Sequence, residues 1–283
     1  MKIGITGATG QLGRLVVEKL KERIADEHLV ALVRSPEKAT DLGVEARAFD
    51  YGKAETLVEP LRGIDKLLFI SASEIGRRTP LHKNVINAAQ EAGVQWIVYT
   101  SLLHADTSSL GLAEEHVETE KILKASGIPH TILRNGWYTE NYLGSIAGAI
   151  ASGALMGSAG EGKISSATRE DYAEAAAVVI TSEGHQGKVY ELAGDEAFTL
   201  SELAAEISLQ TGKDIPYKDL PEEEYVSALK SLDIPEGFAQ TLAGWDIGIS
   251  KNDLFNNSKT LSKLIGHPTT PMAETVKKAL AHS

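Results

Sequence analysis

Ile3-Gly4-Ile5-Thr6-Gly7-Ala8-Thr9-Gly10-Gln11-Leu12-Gly13 opens the chain and decides its fold. A short β-type run leads into a G-x-x-G-x-x-G spacing, after which Gln11–Glu22 carries apolar side chains at helical intervals. A strand that passes into a helix over three glycines meets three demands together. The turn is tight, the backbone is bare enough for a pyrophosphate to approach, and unpaired N–H groups gather at the positive end of the helix. The stretch therefore predicts a dinucleotide site built from Gly7, Ala8, Thr9, Gly10, Gln11, Leu12 and Gly13, with a ligand-free tight turn as the alternative.

Outward from this turn, strand-like and helix-like segments alternate, the pattern of a parallel sheet with helices on both faces. Strands are expected at Lys2–Thr6, His28–Val33, Glu45–Phe49, Lys66–Ser71, Trp96–Ser101, His130–Arg134 and Val189–Ala193. Helices are expected at Gln11–Glu22, Ser35–Leu42, Ala54–Leu61, Pro80–Ala92, His116–Ser126, Glu170–Thr181, Phe198–Gln210, Glu222–Leu232 and Met272–Ala281, with a helix and loop over Gly136–Gly162. The fold class is α/β: a Rossmann-type, doubly wound parallel sheet with a smaller, mostly helical C-terminal cap. Residues 1–135 with about 163–194 are assigned to the sheet domain, and about 136–162 and 195–283 to a substrate-binding cap.

Composition narrows the function. The 283 residues are 42% hydrophobic and 24% charged, an ordinary globular balance. Thirty-nine acidic against 28 basic residues give a net charge of −11, which repels a phosphate backbone and argues against nucleic acid. Cysteine is absent, so thiol nucleophiles, disulfides, thiolate zinc and iron–sulfur centres are excluded, and no other metal site is indicated. The opening residues lack the apolar core of a signal peptide, so a cytoplasmic location is expected. Asn141 to Gly160 is uncharged and about as long as a membrane span. Gly144, Gly148, Gly153, Gly157, Gly160, Ser145, Ser152 and Ser158 interrupt it, and a buried helix with a loop is the better reading.

Further candidates follow from strand ends. Arg34 stands after the second strand, where an NAD enzyme places an acid for the ribose hydroxyls. A guanidinium there suits a 2′-phosphate and hence NADPH, with NADH weaker; an ordinary surface arginine is the alternative. Lys38 lies one turn on as a lesser candidate. Asp50 and Tyr51 close the third strand and can frame an adenine or simply make a turn. Ser71, Ala72 and Ser73 fall at the carboxyl edge of the sheet, where small side chains let a cofactor pass. The nicotinamide end is expected near Thr100, Ser101, Arg134, Asn135, Gly136, Trp137 and Tyr138, although the last segment equally suits a plain strand-to-helix turn.

One expected pair is missing. Short-chain dehydrogenases that act on alcohols carry Tyr-x-x-x-Lys on the helix after the fifth strand. Here His116 and Glu120 take those places, with Lys121 turned roughly 100° away. A tyrosinate base cannot form, whereas reduction of a quinone needs positioning more than acid–base power.

Several segments together give a more particular likeness. They are Ile5–Gly13, Tyr99-Thr100-Ser101-Leu102-Leu103-His104-Ala105-Asp106, Leu133-Arg134-Asn135-Gly136-Trp137-Tyr138-Thr139-Glu140-Asn141, and Ser258-Lys259-Thr260-Leu261-Ser262-Lys263-Leu264-Ile265-Gly266. With them the chain resembles, over its full length, the NmrA-like, atypical branch of the short-chain dehydrogenase/reductases. Within that branch it is most similar to bacterial NAD(P)H:quinone oxidoreductases and to triphenylmethane-dye reductases. The resemblance implies NADPH along the glycine loop, Arg34 and the Ser71–Ser73 rim. It also implies a quinone in a cleft formed by Asn135–Asn141 and the cap, with hydride passing directly and without flavin or metal. Asn141 would polarise the quinone carbonyl, a helix cap being its other reading. His104 and His116 are possible proton donors or structural histidines. A dinucleotide-binding redox sensor without turnover and a reductase of another conjugated acceptor, such as a triphenylmethane dye, are the alternatives. A homo-oligomer is compatible with the sequence, which does not fix the subunit number.

Overall fold

A computed structural model describes residues 1–281. Seven strands form one parallel sheet: β1 (Ile3–Thr6), β2 (Leu29–Val33), β3 (Glu45–Ala48), β4 (Lys66–Phe69), β5 (Trp96–Leu102), β6 (His130–Asn135) and β8 (Val189–Leu192). Their order is β3-β2-β1-β4-β5-β6-β8, so the winding reverses between β1 and β4. Ligands of open α/β sheets gather outside the strand ends at such a reversal.

Period two explains why the strands lie in the middle of the chain's core. Ile3, Ile5, Leu29, Ala31, Val33, Leu68 and Val98 face α1 (Gln11–Lys21) and α6 (Arg169–Thr181) in one buried cluster. Their neighbours Val30, Leu32, Leu67, Phe69, Ile97 and Tyr99 face the opposite way, onto a second cluster with Val85, Ile86, Ala89 and Leu123. That second layer is carried by α2 (Val58–Leu61), α3 (Arg78–Ala92) and α4 (Ala113–Ala125). Both faces are covered, which is why the central strands are apolar throughout instead of alternating. The edge strand β3 is charged instead, with Glu45 paired to Lys2 and Arg47, which blunts edge-to-edge association. Ala173, Ala175, Ala176 and Ala177 let α6 lie against α1, and a reciprocal Thr168–Asp171 capping box starts α6.

The cap comprises α5 (Leu143–Ser152), β7 (Leu155–Gly157), α7 (Leu200–Thr211), β9 (Tyr217–Asp219), α8 (Glu222–Ser231), α9 (Glu236–Ser250) and α11 (Met272–Ala281). Its core joins Trp137, Tyr142, Ile146, Phe198, Leu203, Ile207 and Ile249. Strands β7 and β9 pair in parallel and were not expected from sequence, being three residues each. Helix α9 was also missed, because Gly237, Gly244 and Gly248 suppress its propensity. Gly248 is there for packing: a β-carbon would stand 3.3 Å from Asp253 and closer still to the Leu110 side chain.

Other differences are local. Residues 36–42 form a 3₁₀ segment where a short helix was expected. The expected helix Ala54–Leu61 divides into a 3₁₀ turn and the four-residue α2, because Pro60 brings no N–H to continue it. Helix α10 (Thr260–Ile265), assigned by sequence to the cap, instead places Leu261 and Ile265 in the sheet-side core with α6.

Asp246 on α9 accepts a hydrogen bond from the Ser158 amide at 2.8 Å. Loss of solvent raises its pKa to about 6, the Ser158 bond opposing that rise. A carboxyl whose folded pKa exceeds its unfolded value stabilises the fold below pH about 4 and loses that contribution as pH rises through about 6. Asp246→Asn keeps the acceptor and removes the charge. Its stability gain should therefore be near zero at pH 4 and grow to about 1 kcal/mol at pH 8, after discounting for the partial exposure of the side chain. Thermal melts of both proteins across that range check this, and a gain that shrinks with rising pH contradicts it.

Candidate active site

The glycine loop begins where β1 leaves the sheet. Gly7 takes φ +61°, the left-handed region that glycine enters without strain. Its amide donates to Leu32 across the sheet at 3.0 Å, and its carbonyl receives the Gly10 amide at 2.9 Å, closing the turn. The first bond of α1 runs from Arg14 N–H to the Gly10 carbonyl. No side chain caps that helix and no acid occupies its first turn. The leading amides of α1 are left facing outward at the positive helix end, an anion-binding arrangement. Gly13 has a different task, since a β-carbon there would lie 2.7 Å from Ala8 Cα and closer to the Gly7 carbonyl. Ala8 is itself fully buried beneath the turn.

From this loop a cleft of about 850 Å³ extends over the ends of β1, β2 and β4. Gly7, Thr9, Gly10, Gln11, Leu12, Gly13, Arg34, Asp50, Tyr51, Ser71, Ala72 and Ser73 all line it. Sequence reading did not name Lys53, Glu74 or Arg77, which also line it; no spacing marks a loop residue that only the fold swings to the rim.

Arg34 is 72% exposed and approaches Glu74 at 3.4 Å across the cleft mouth, so its guanidinium is available to a ligand. Lys38 does not line the cleft; its carbonyl receives the Arg14 guanidinium instead. Asp50 turns Oδ1 back to the Gly52 amide at 3.0 Å. The Tyr51 hydroxyl donates to the Ile70 carbonyl at 2.9 Å, and its ring meets Phe49 and Phe69 edge-on. Tyr51 thus walls the cleft from a fixed position.

The remaining sequence candidates stand outside this cleft. Ser101 donates to Glu120 at 2.6 Å. Glu120 also grips Arg134 through two bonds, at 3.0 and 2.8 Å, and Arg134 reaches Glu191 and Asp106 in addition. These contacts, Glu120 foremost, hold the guanidinium charged. His116 Nδ1 and the Tyr99 hydroxyl share a hydrogen bond at 2.8 Å. Burial, with Arg78 nearby, drives its pKa well below the usual value and keeps it neutral. His104 is tied by its Nε2 to the Phe255 carbonyl at 3.1 Å. The two places where alcohol dehydrogenases keep Tyr and Lys are therefore structural here.

Asn135 ends β6 with Oδ1 buried and without a hydrogen-bond partner among the described residues. Gly136 follows because a β-carbon would stand 2.9 Å from the Tyr172 hydroxyl. Trp137 meets Trp245 edge-on at 5.2 Å between ring centres. The Arg169 guanidinium lies 4.4 Å above the Tyr138 ring and donates to Asn141 Oδ1 at 2.9 Å. Asn141 is exposed. Among the described residues no cluster of acids and histidines suits a metal ion, and no helix is long and apolar enough to cross a membrane.

A parallel sheet with its winding reversal beside a glycine-lined cleft defines a Rossmann-type dinucleotide-binding protein. A model of the NAD(P)H-binding family matches residues 7–183, and the chain belongs to that NmrA-like family. It is 58% identical over 277 residues to Quinone oxidoreductase 2 of Escherichia coli (strain K12), with 97% of each chain covered. The crystal structure of an NADPH-dependent quinone oxidoreductase of E. coli complexed with NADPH superimposes with a TM-score of 0.96 at 57% identity, over 98% of this chain and 99% of that one. Triphenylmethane reductase of Citrobacter sp. complexed with NADP(H) gives 0.95 at 40% identity, over 98% and 100%.

Proposed function

We propose that this protein is an NADPH-dependent quinone reductase. The observation that carries the reading is its likeness, over nearly the whole chain, to the E. coli quinone oxidoreductase whose structure holds NADPH. The cleft suits that cofactor. It offers an anion site at the start of α1, an exposed guanidinium at the end of β2 and a glycine cradle that side chains would fill. NADPH, when bound, supplies the hydride.

The chain's residues divide the remaining work. Amides of the Gly7–Gly13 loop take the pyrophosphate, Arg34 takes the 2′-phosphate, and the segment that follows β6 from Asn135 is assigned to the nicotinamide end. Arg169 claims Asn141 Oδ1 and so orients the amide Nδ2 outward as a donor. That donor is the one we assign to the quinone carbonyl. Ser101 is held by Glu120, and His116 is neutral and partnered, so the product takes its proton from water. The likeness to triphenylmethane reductase supports a site tolerant of other flat conjugated acceptors. We place the protein in the cytoplasm, where NADPH is maintained.

Steady-state oxidation of NADPH by a soluble benzoquinone tests the reading. Turnover that saturates in both substrates is expected. Tight NADPH binding without turnover would mark a sensor and overturn it.

A further inference from the structure

The rim after β4 has lost its strand partner. The β4–β5 ladder ends at Phe69 and Tyr99, so the next amides need other acceptors. Each finds a side chain. Ile70 N–H donates to Thr6 Oγ1 at 2.9 Å, Ser71 N–H to Thr100 Oγ1 at 3.0 Å, and Ala72 N–H to His82 Nε2 at 2.8 Å. The Ala72 carbonyl is held as well, by Arg78 Nε at 2.9 Å. Both backbone groups of Ala72 are thus fixed by α3, at the point where the rim lines the cleft.

The histidine's tautomer follows from the network. Because Nε2 accepts, the proton of the neutral ring sits on Nδ1, which donates to Thr119 Oγ1 at 2.9 Å. Thr119 passes its own hydroxyl proton to the Glu115 carbonyl at 2.8 Å. The Tyr99 hydroxyl stands 3.5 Å from His82 Nδ1 and 2.8 Å from His116 Nδ1. His82 has no accessible surface, and both of its ring nitrogens are partnered. Glu115 extends the clasp by accepting the Gly76 and Arg78 amides at 3.0 and 2.7 Å. Burial, reinforced by Arg78, lowers the His82 pKa to about 3, so the ring stays neutral and Nε2 stays an acceptor.

We propose that His82 is a positioning residue for NADPH: by taking the Ala72 amide it fixes the Ser71–Ser73 rim over which the cofactor passes, without touching the cofactor itself. This rests on the NADPH-dependent reading above. A hydrogen-bond acceptor is needed there, since an apolar ring of the same size would leave a buried N–H unpaired and the rim free to shift.

Titration of NADPH into the purified protein, followed by cofactor fluorescence, tests the proposal with three variants. His82→Phe should raise the NADPH dissociation constant about tenfold. His82→Gln, whose Oε1 can take the Ala72 amide, should return it to within about threefold of the parent. Thr119→Val, which removes the nearer partner of Nδ1, should give an intermediate rise. At saturating NADPH the KM for benzoquinone should stay unchanged in all three, because the rim acts on the cofactor alone. Equal binding by His82→Phe and the parent overturns the proposal, as does a His82→Gln protein as weak as His82→Phe. Should His82→Phe fail to fold, unaltered binding by Thr119→Val overturns it. Absence of NADPH binding by the parent would instead sink the functional reading.

Discussion

Gly10→Val should abolish NADPH binding while leaving the protein folded. Gly10 already has φ −76° and ψ 170°, extended values that valine adopts readily. Its β-carbon would meet only the Gly7 carbonyl, at 3.2 Å, so the backbone need give by a few tenths of an ångström. The added methyl groups would nevertheless stand over the leading amides of α1, where the pyrophosphate must come within hydrogen-bond range. Charge-assisted bonds contribute about 1.5–3 kcal/mol each, so losing two weakens binding by about a hundredfold or more. Calorimetric titration with NADPH, beside a thermal melt within a few degrees of the parent, is the check. Undiminished binding would place the pyrophosphate elsewhere. Gly13→Ala makes the contrast, since its β-carbon collides with backbone inside the βα unit. That substitution should cost about 1–3 kcal/mol of stability.

Arg34→Ala should raise the KM for NADPH about tenfold to a hundredfold and leave that for NADH nearly unchanged. The expectation rests on one charge-assisted bond to the 2′-phosphate, a group NADH lacks. The structure adds a competitor, because Glu74 reaches toward Arg34 from the opposite rim. A phosphate must draw the guanidinium from that exposed pair, and more salt should weaken NADPH more than NADH. Parallel steady-state measurements with both cofactors decide the matter. Equal effects on the two would show that Arg34 does not read the phosphate.

How far the sequence alone reached depended on the range of the interactions involved. The Gly7–Gly13 loop was legible because its function lies in backbone conformation and helix polarity, both set by residues adjacent in the chain. The parallel sheet was legible because strands covered on both faces must be apolar throughout. The place of Arg34 at the cleft was legible because the end of β2 lies beside the glycine loop in this topology. Ser101 was not. It occupies its expected place on β5, yet Glu120, nineteen residues on, claims its hydroxyl and turns it to structure. His82 drew no notice in the sequence, since its partners Ala72 and Thr119 lie ten and 37 residues away. Asn141 was singled out as a partner for the quinone carbonyl or as a helix cap, and only the fold brings Arg169 against its Oδ1.

By itself the amino-acid sequence determined the α/β class, the position of the cofactor turn and the absence of an alcohol dehydrogenase's base. Each of these is a local pattern of period, glycine spacing or residue type. The tertiary structure alone decided how the rim is held, which polar groups are consumed in networks and where α10 docks. Hydrogen bonds of this kind join groups far apart along the chain, and no local preference encodes which distant acceptor a buried N–H will find.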